Sequence, residues 1–168
     1  IKNCKFDVAK VNTNDIYEDG IHAVSGAEVT VTNCTNANGD MKDLVNVHAN
    51  SVVTVDGVAI KNLAKVGNNY YLTLQDAFAA VGGGAVVIEL LDNATLNYGA
   101  REAYGTAEIT SLTINGNGKV LTLNQTNSDW SSFGLANAEA KVVFNNMTIE
   151  KTGHGDTNGA WNTHAIIF

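Results

Sequence analysis

Short runs of alternating apolar and polar residues recur along this chain, broken by Asn and Gly. Val29-Thr30-Val31 and Val53-Thr54-Val55 share one pattern at an offset of 24 residues. The same offset sets Ile21-His22-Ala23 on Val45-Asn46-Val47 and Asn33-Cys34 on Gly57-Val58. Ile1-Lys2-Asn3-Cys4-Lys5-Phe6 matches Val31-Thr32-Asn33-Cys34-Thr35-Asn36, and Val142-Val143-Phe144-Asn145-Asn146-Met147 matches Val29-Thr30-Val31-Thr32-Asn33-Cys34. Period-2 alternation predicts short strands with Val29, Val31, Val53 and Val55 facing inward. Thr30, Thr32, Thr54 and Asp56 then face outward.

Two columns of the repeat fix the architecture. Asn3, Asn33, Gly57 and Asn146 are all residue types that tolerate a left-handed backbone. The next column, Cys4, Cys34, Val58 and Met147, is apolar. A corner followed at once by an inward side chain explains both. A period in the twenties with several strands per copy implies stacked coils, each strand pairing in parallel with its equivalent one lap away. The expected fold class is therefore all-β: a parallel β-helix, or solenoid, with one short capping α-helix. An antiparallel sandwich would need more two-residue hairpin turns than are evident.

Residues 1–62 read as about three coils. Residues 63–84 break the pattern: Lys65 to Tyr71 forms a hairpin with Asn68-Asn69 in its turn. Thr73 then caps a helix whose Leu74, Ala77, Phe78 and Val81 share a face, and Gly82-Gly83-Gly84 ends it. This helix is placed to cap the coils that fill residues 85–168; packing along the solenoid's side is the alternative. His164-Ala165-Ile166 resembles a strand opening another coil, and Ile1 to Cys4 the second half of one. The expected partner is thus another copy of the chain, stacking end to end within or between chains.

Composition narrows the function classes. The chain has 168 residues and a net charge of −7, with Arg101 the only arginine, so a phosphate-tracking surface is absent and nucleic acid is not an expected partner. No apolar run approaches the ~20 residues of a membrane span, so no membrane insertion is expected. No basic-then-apolar leader opens the chain, which reads as a mature or excised segment. Proline is missing, and uncharged Asn, Thr and Gly supply the polar surface.

Lys65-Val66-Gly67-Asn68-Asn69-Tyr70-Tyr71-Leu72-Thr73-Leu74-Gln75-Asp76-Ala77-Phe78, then Ile88 to Leu96 and Leu112 to Lys119, resembles the start of the β-helix in adhesin-like surface proteins of gut Gram-positive bacteria and some archaea. These belong to the pectin-lyase-like superfamily. The resemblance implies a right-handed coil, extracellular display at the cell surface, and no assigned reaction. A second stretch, Asn12 to His22 with Val29 to Cys34 and Asn38-Gly39-Asp40, resembles the active-site region of polygalacturonases. That family builds its site from Asn-Thr-Asp, Asp-Asp, Gly-His-Gly and Arg-Ile-Lys motifs. Here Met41 follows Asp40, Gly153-His154-Gly155 comes more than a hundred residues later, and no Arg-Ile-Lys occurs. Inverting hydrolysis needs two carboxylates about 6.5–9.5 Å apart. Asp15 or Asp19 with Asp40 could in principle stack so, but no catalytic residue is assigned. The reading is a non-enzymatic structural and adhesive segment, with a carbohydrate-active or glycan-binding domain as the alternative.

Three loops at similar phase, 7–19, 36–43 and 150–161, gather the candidate ligand-binding residues Asp15, Asp19, Asp40, Asp43, His154, Asp156 and Trp161. Such a patch, with Glu18, could hold Ca²⁺, which wants six to eight oxygens. The spacing is not that of an EF-hand, so no metal site or cofactor is assigned, and a solvated face is the plainer reading. Trp161 and Trp130 could stack on sugars or pack at the core margin. Cys4 and Cys34 should stack on neighbouring coils as two buried free thiols, because parallel side-chain vectors disfavour the disulfide torsion.

Overall fold

Parallel pairing between equivalent runs builds almost all of the structure, a computed structural model that describes residues 1–7, 20–98, 102–126 and 133–153. The chain divides into two units, Ile1–Asn62 and Leu63–Phe168. Each is a short β-solenoid, so the chain is all-β with a single short α-helix among the described residues.

Unit 1 begins with β1 (Lys5–Phe6), followed by β2 (Ile21–Ala23), β3 (Glu28–Val31), β4 (Thr35–Asn36), β5 (Val45–Val47), β6 (Val52–Val55) and β7 (Val58–Ile60). The pairings β1–β4, β2–β5 and β3–β6 are all parallel. Their registers are the offsets read from the sequence: Val29 on Val53, Ile21 on Val45, Lys5 on Thr35. Ile21, Ala23, Val31, Val45, Val47 and Val53 are buried, while Thr30 is exposed. Alternation therefore points the valine columns inward, as period 2 requires.

The corners are left-handed where Asn was expected to make them so. Asn3 has φ 54°, Asn33 52° and Gly57 86°, and Asn146 in the second unit has φ 50°. Asp56 and Gly57 are both at positive φ and join β6 to an antiparallel β7, with Val55 opposite Val58. This is the Asp-Gly hairpin geometry, and it corrects one expectation: Val58 returns 67% exposed instead of pointing inward.

Unit 2 opens with β8 (Ala64–Val66) and β9 (Asn69–Tyr71), then α1 (Leu74–Ala79). The hairpin turn is Gly67-Asn68, with Val66 opposite Asn69 and Gly67 at φ 59°, one residue earlier than Asn68-Asn69. Glycine at the first corner favours this turn, since it takes that φ at no steric cost. Thr73 Oγ1 accepts from the Asp76 amide at 3.1 Å, an N-cap, and Leu74, Ala77, Phe78 and Val81 are buried on one face.

The laps of unit 2 are β10 (Gly84–Leu90), β11 (Ala94–Tyr98) and β12 (Glu102–Tyr104), then β13 (Ile109–Gln125) and β14 (Phe133–Leu135), then β15 (Lys141–Gly153). β10 and β11 each pair in parallel with β13, β13 with β15, and β12 with β14. The first lap is capped. β8 pairs antiparallel with β10, and Gln75 of α1 donates to the Asn97 carbonyl of β11 at 3.0 Å. Ile88, Leu90, Leu96, Ile109, Leu112, Ile114, Leu121 and Leu123 form the core with the helix face. At the β13–β15 corner, Gly116-Asn117-Gly118 lies opposite the single residue Asn146. A Cβ on Gly116 would collide with Met147 Cβ and the Asn146 carbonyl, so only glycine admits so close an approach.

Candidate functional site

Of the acidic candidates, Asp40 and Asp43 lie in the described structure. Asp40 is the N-cap of a 3₁₀ turn, Met41–Leu44, its Oδ1 accepting from the Lys42 amide at 3.2 Å. Its Oδ2 stands 3.2 Å from Lys42 Nζ. Asn38 of the same loop donates to Asp7 Oδ1 at 2.7 Å, across to the preceding lap. The Lys42 amide, then the Lys42 ammonium, hold the Asp40 carboxyl below its ordinary 3.8. A general acid for glycoside cleavage needs the opposite shift, so that it still carries a proton near neutrality. Asp40 is a loop cap and an ion-pair partner. Asp43 sits in the same turn, half-buried.

Asp15, Glu18, Asp19, Trp130, His154, Asp156 and Trp161 lie outside the described residues, as do residues 164–168. No group of three or more His, Cys, Asp or Glu side chains comes together among the described residues. Among the described residues no helix is long and apolar enough to cross a membrane.

The thiols stack as expected, with the Cys4 amide donating to Cys34 Sγ at 3.3 Å, and both are free. Only Cys34 is buried. Cys4 is exposed, which corrects the expectation of two buried thiols; among the described strands β1 pairs only with β4, and none covers its other edge. 

The structure brings together polar residues that the sequence left scattered. Asn33 Nδ2 donates to Asn3 Oδ1 at 2.8 Å, one lap apart. In unit 2, Asn124 Nδ2 donates to Asn97 Oδ1 at 2.7 Å, and Thr152 Oγ1 to Asn124 Oδ1 at 3.2 Å, a ladder across three laps. Other amides bond to the backbone of a neighbouring lap: Asn117 to the Leu90 carbonyl at 3.0 Å, Asn137 to Ile109 at 2.8 Å, and Asn93 Oδ1 from the Val120 amide at 2.9 Å. Buried Asn62 donates to the carbonyls of Val47 and Ala49 at 2.7 and 3.2 Å. These bonds satisfy edge groups that would otherwise need water.

Strand register also assembles one outward row. Register places Tyr70, Lys65, Glu89, Asn115 and Asn145 side by side on β9, β8, β10, β13 and β15. Lys65 Nζ lies 5.9 Å from the Tyr70 ring centroid. The row was hidden because its members come from five separate segments. The one sequence signal for it is their alternation with buried Ala64, Ile88, Leu90 and Ile114. Compared with protein-family models, curated proteins and solved structures, the chain matches none.

Proposed function

We propose that this chain is a non-catalytic, rigid β-helix segment of a bacterial cell-surface protein, displayed outside the cell, with a structural and adhesive role and extended by end-to-end stacking. One observation carries the reading: Asn3 and Asn33 in unit 1, and Asn97, Asn117, Asn124 and Asn137 in unit 2, are engaged in lap-to-lap hydrogen bonds. Their chemistry is that of holding coils in register, which suits a spacer. The motifs resembling adhesin-like proteins of the pectin-lyase-like superfamily, together with the right-handed coil they imply, support the same role. Incubation of the chain with polygalacturonate and host glycans tests it. No release of reducing sugar is expected, and measurable turnover refutes the proposal.

The Tyr70–Asn145 row favours a second reading, a glycan-binding face. A flat polar strip ending in an aromatic ring offers hydrogen bonds and one stacking surface to a sugar chain. Binding on a glycan array that is lost in both Tyr70→Ala and Asn115→Ala would establish it.

A further inference from the structure

Among the described strands, each unit closes one end of its solenoid and leaves the other open. In unit 1, β7 and the Asn62 side chain cover the last lap, whereas β1 pairs only with β4 among the described strands. In unit 2, β8, β9 and α1 cover the first lap, whereas β15 pairs only with β13 among the described strands. Apolar side chains at the open ends stay in contact with water. Ile149 is 38% exposed and Ile1 51%, Cys4 is exposed, and Val142, Phe144 and Met147 are half-buried.

The two open edges match. Each turns its corner on a left-handed asparagine, Asn3 and Asn146. Laying Phe144 to Met147 against Ile1 to Cys4 pairs Phe144 with Ile1, Met147 with Cys4 and, two residues on, Ile149 with Phe6. Asn3 then stands above Asn146 as Asn33 stands above Asn3. In both described ladders the later lap's amide donates to the earlier lap's side-chain carbonyl, Asn33 to Asn3 and Asn124 to Asn97. Lys5 falls diagonally across from Glu150, opposite charges within reach on neighbouring strands. Lap direction agrees as well. Laps advance toward β15 in unit 2 and away from β1 in unit 1, so the joint keeps every strand parallel and leaves a cap at each far end.

One chain cannot make this joint with itself. Asn62 is bonded to the last lap of unit 1, and Leu63 donates to Tyr71 and accepts from Leu91 at the first lap of unit 2, at 2.8 and 2.9 Å. Joining the open edges would hold those two laps about five strand spacings apart, roughly 24 Å. A single peptide link spans about 3.8 Å.

Resting on the stacking reading above, we infer that the open β15 edge of one copy takes the open β1 edge of a second copy. The contact is heterologous, so it propagates into a closed ring or a fibre. Sedimentation velocity of the 168-residue chain over a concentration series is the test, with maleimide labelling of Cys4 alongside. Mass is expected to rise with concentration while Cys4 becomes protected. Lys5→Pro probes the edge, because the Cys4 and Phe6 carbonyls accept from Thr35 and Ala37, which turns the Lys5 amide to the open side. This variant is expected to stay monomeric with unchanged circular dichroism. Should it unfold, Glu150→Lys serves instead: it is expected to weaken association roughly tenfold, and Lys5→Glu in the same chain to restore it. A wild-type chain that is monomeric at every concentration, or that assembles with Cys4 still reactive, overturns the inference. Either result removes the stacking part of the proposed function but leaves its non-catalytic part standing, which glycan turnover alone would refute.

Discussion

Asn33 separates the two physical reasons for an asparagine at the corner. Its φ of 52° is left-handed, its side chain donates to Asn3 at 2.8 Å, and its amide donates to Asp56 Oδ1 at 2.8 Å. Asn33→Gly keeps the backbone conformation and removes only the side-chain bond, which is solvent-exposed; the expected loss is under about 1 kcal/mol. Asn33→Ala adds the strain of a left-handed L-residue, about 1–2 kcal/mol. Asn33→Val adds β-branch crowding to the same lost bond, for a total of about 2–3 kcal/mol. Two units make a single global melt hard to interpret, so hydrogen exchange at the β3 and β6 amides is the better readout. The expected order of protection is wild type, Gly, Ala, Val. If Val protects these strands as well as Gly does, the corner is not what selects asparagine, and the repeat argument loses its physical basis.

The second corner makes the converse prediction: Ala49 holds φ 51° without a residue suited to it, so Ala49→Gly is expected to stabilise unit 1 by about 1 kcal/mol in urea denaturation. Phe78 is fully buried with its ring centroid 4.6 Å from that of Tyr104, so Phe78→Ala is expected to destabilise unit 2 by about 3–5 kcal/mol and to expose the β11 edge to exchange. NMR titration of Asp40 is expected to give a midpoint below 3.8, moved part of the way back by Lys42→Ala, which leaves the backbone donor in place. Because the folded value is depressed, whatever the cap contributes is present above 3.8 and fades as pH falls through the lower folded midpoint.

What could be read from the sequence was what repeats locally. The offset of 24 residues gave the β2–β5 and β3–β6 registers, and Asn3, Asn33, Gly57 and Asn146 all turn left-handed. The helix face Leu74, Ala77, Phe78 and Val81 follows from 3.6-residue spacing and is buried. The second corner was illegible, because Ser25 and Ala49 take φ 58° and 51° although neither residue type advertises a left-handed backbone. There the lap geometry overrides local preference. Gly57 reads as part of the corner column and Asp56 as an outward strand residue, whereas Asp56-Gly57 is also a hairpin dipeptide, and only pairing beyond β6 decides between the two. The acidic loops gave less. Asp40 is bound up in its own turn, and its presumed companions share no local pattern that would fix their distances.

The lap-to-lap bonds bear on where the chain is vulnerable. In a solenoid each lap contacts only its neighbours, so stability is close to a sum of lap and interface contributions. An interior lap such as β13 has β10, β11 and β15 on its two sides, and its Leu112, Ile114, Leu121 and Leu123 are buried. β15 has one neighbour among the described strands, and its equivalent positions Val142, Phe144 and Ile149 are only partly covered. The same comparison holds between β4, with buried Cys34 beside it, and β1, with exposed Cys4. A missing neighbour therefore leaves the same inward column wet at both open ends, while antiparallel strands complete the capped ends. Hydrogen exchange should accordingly grade from protected at β10 and β13 to fast at β15, and a covering lap should reverse that gradient without changing any bond inside the unit.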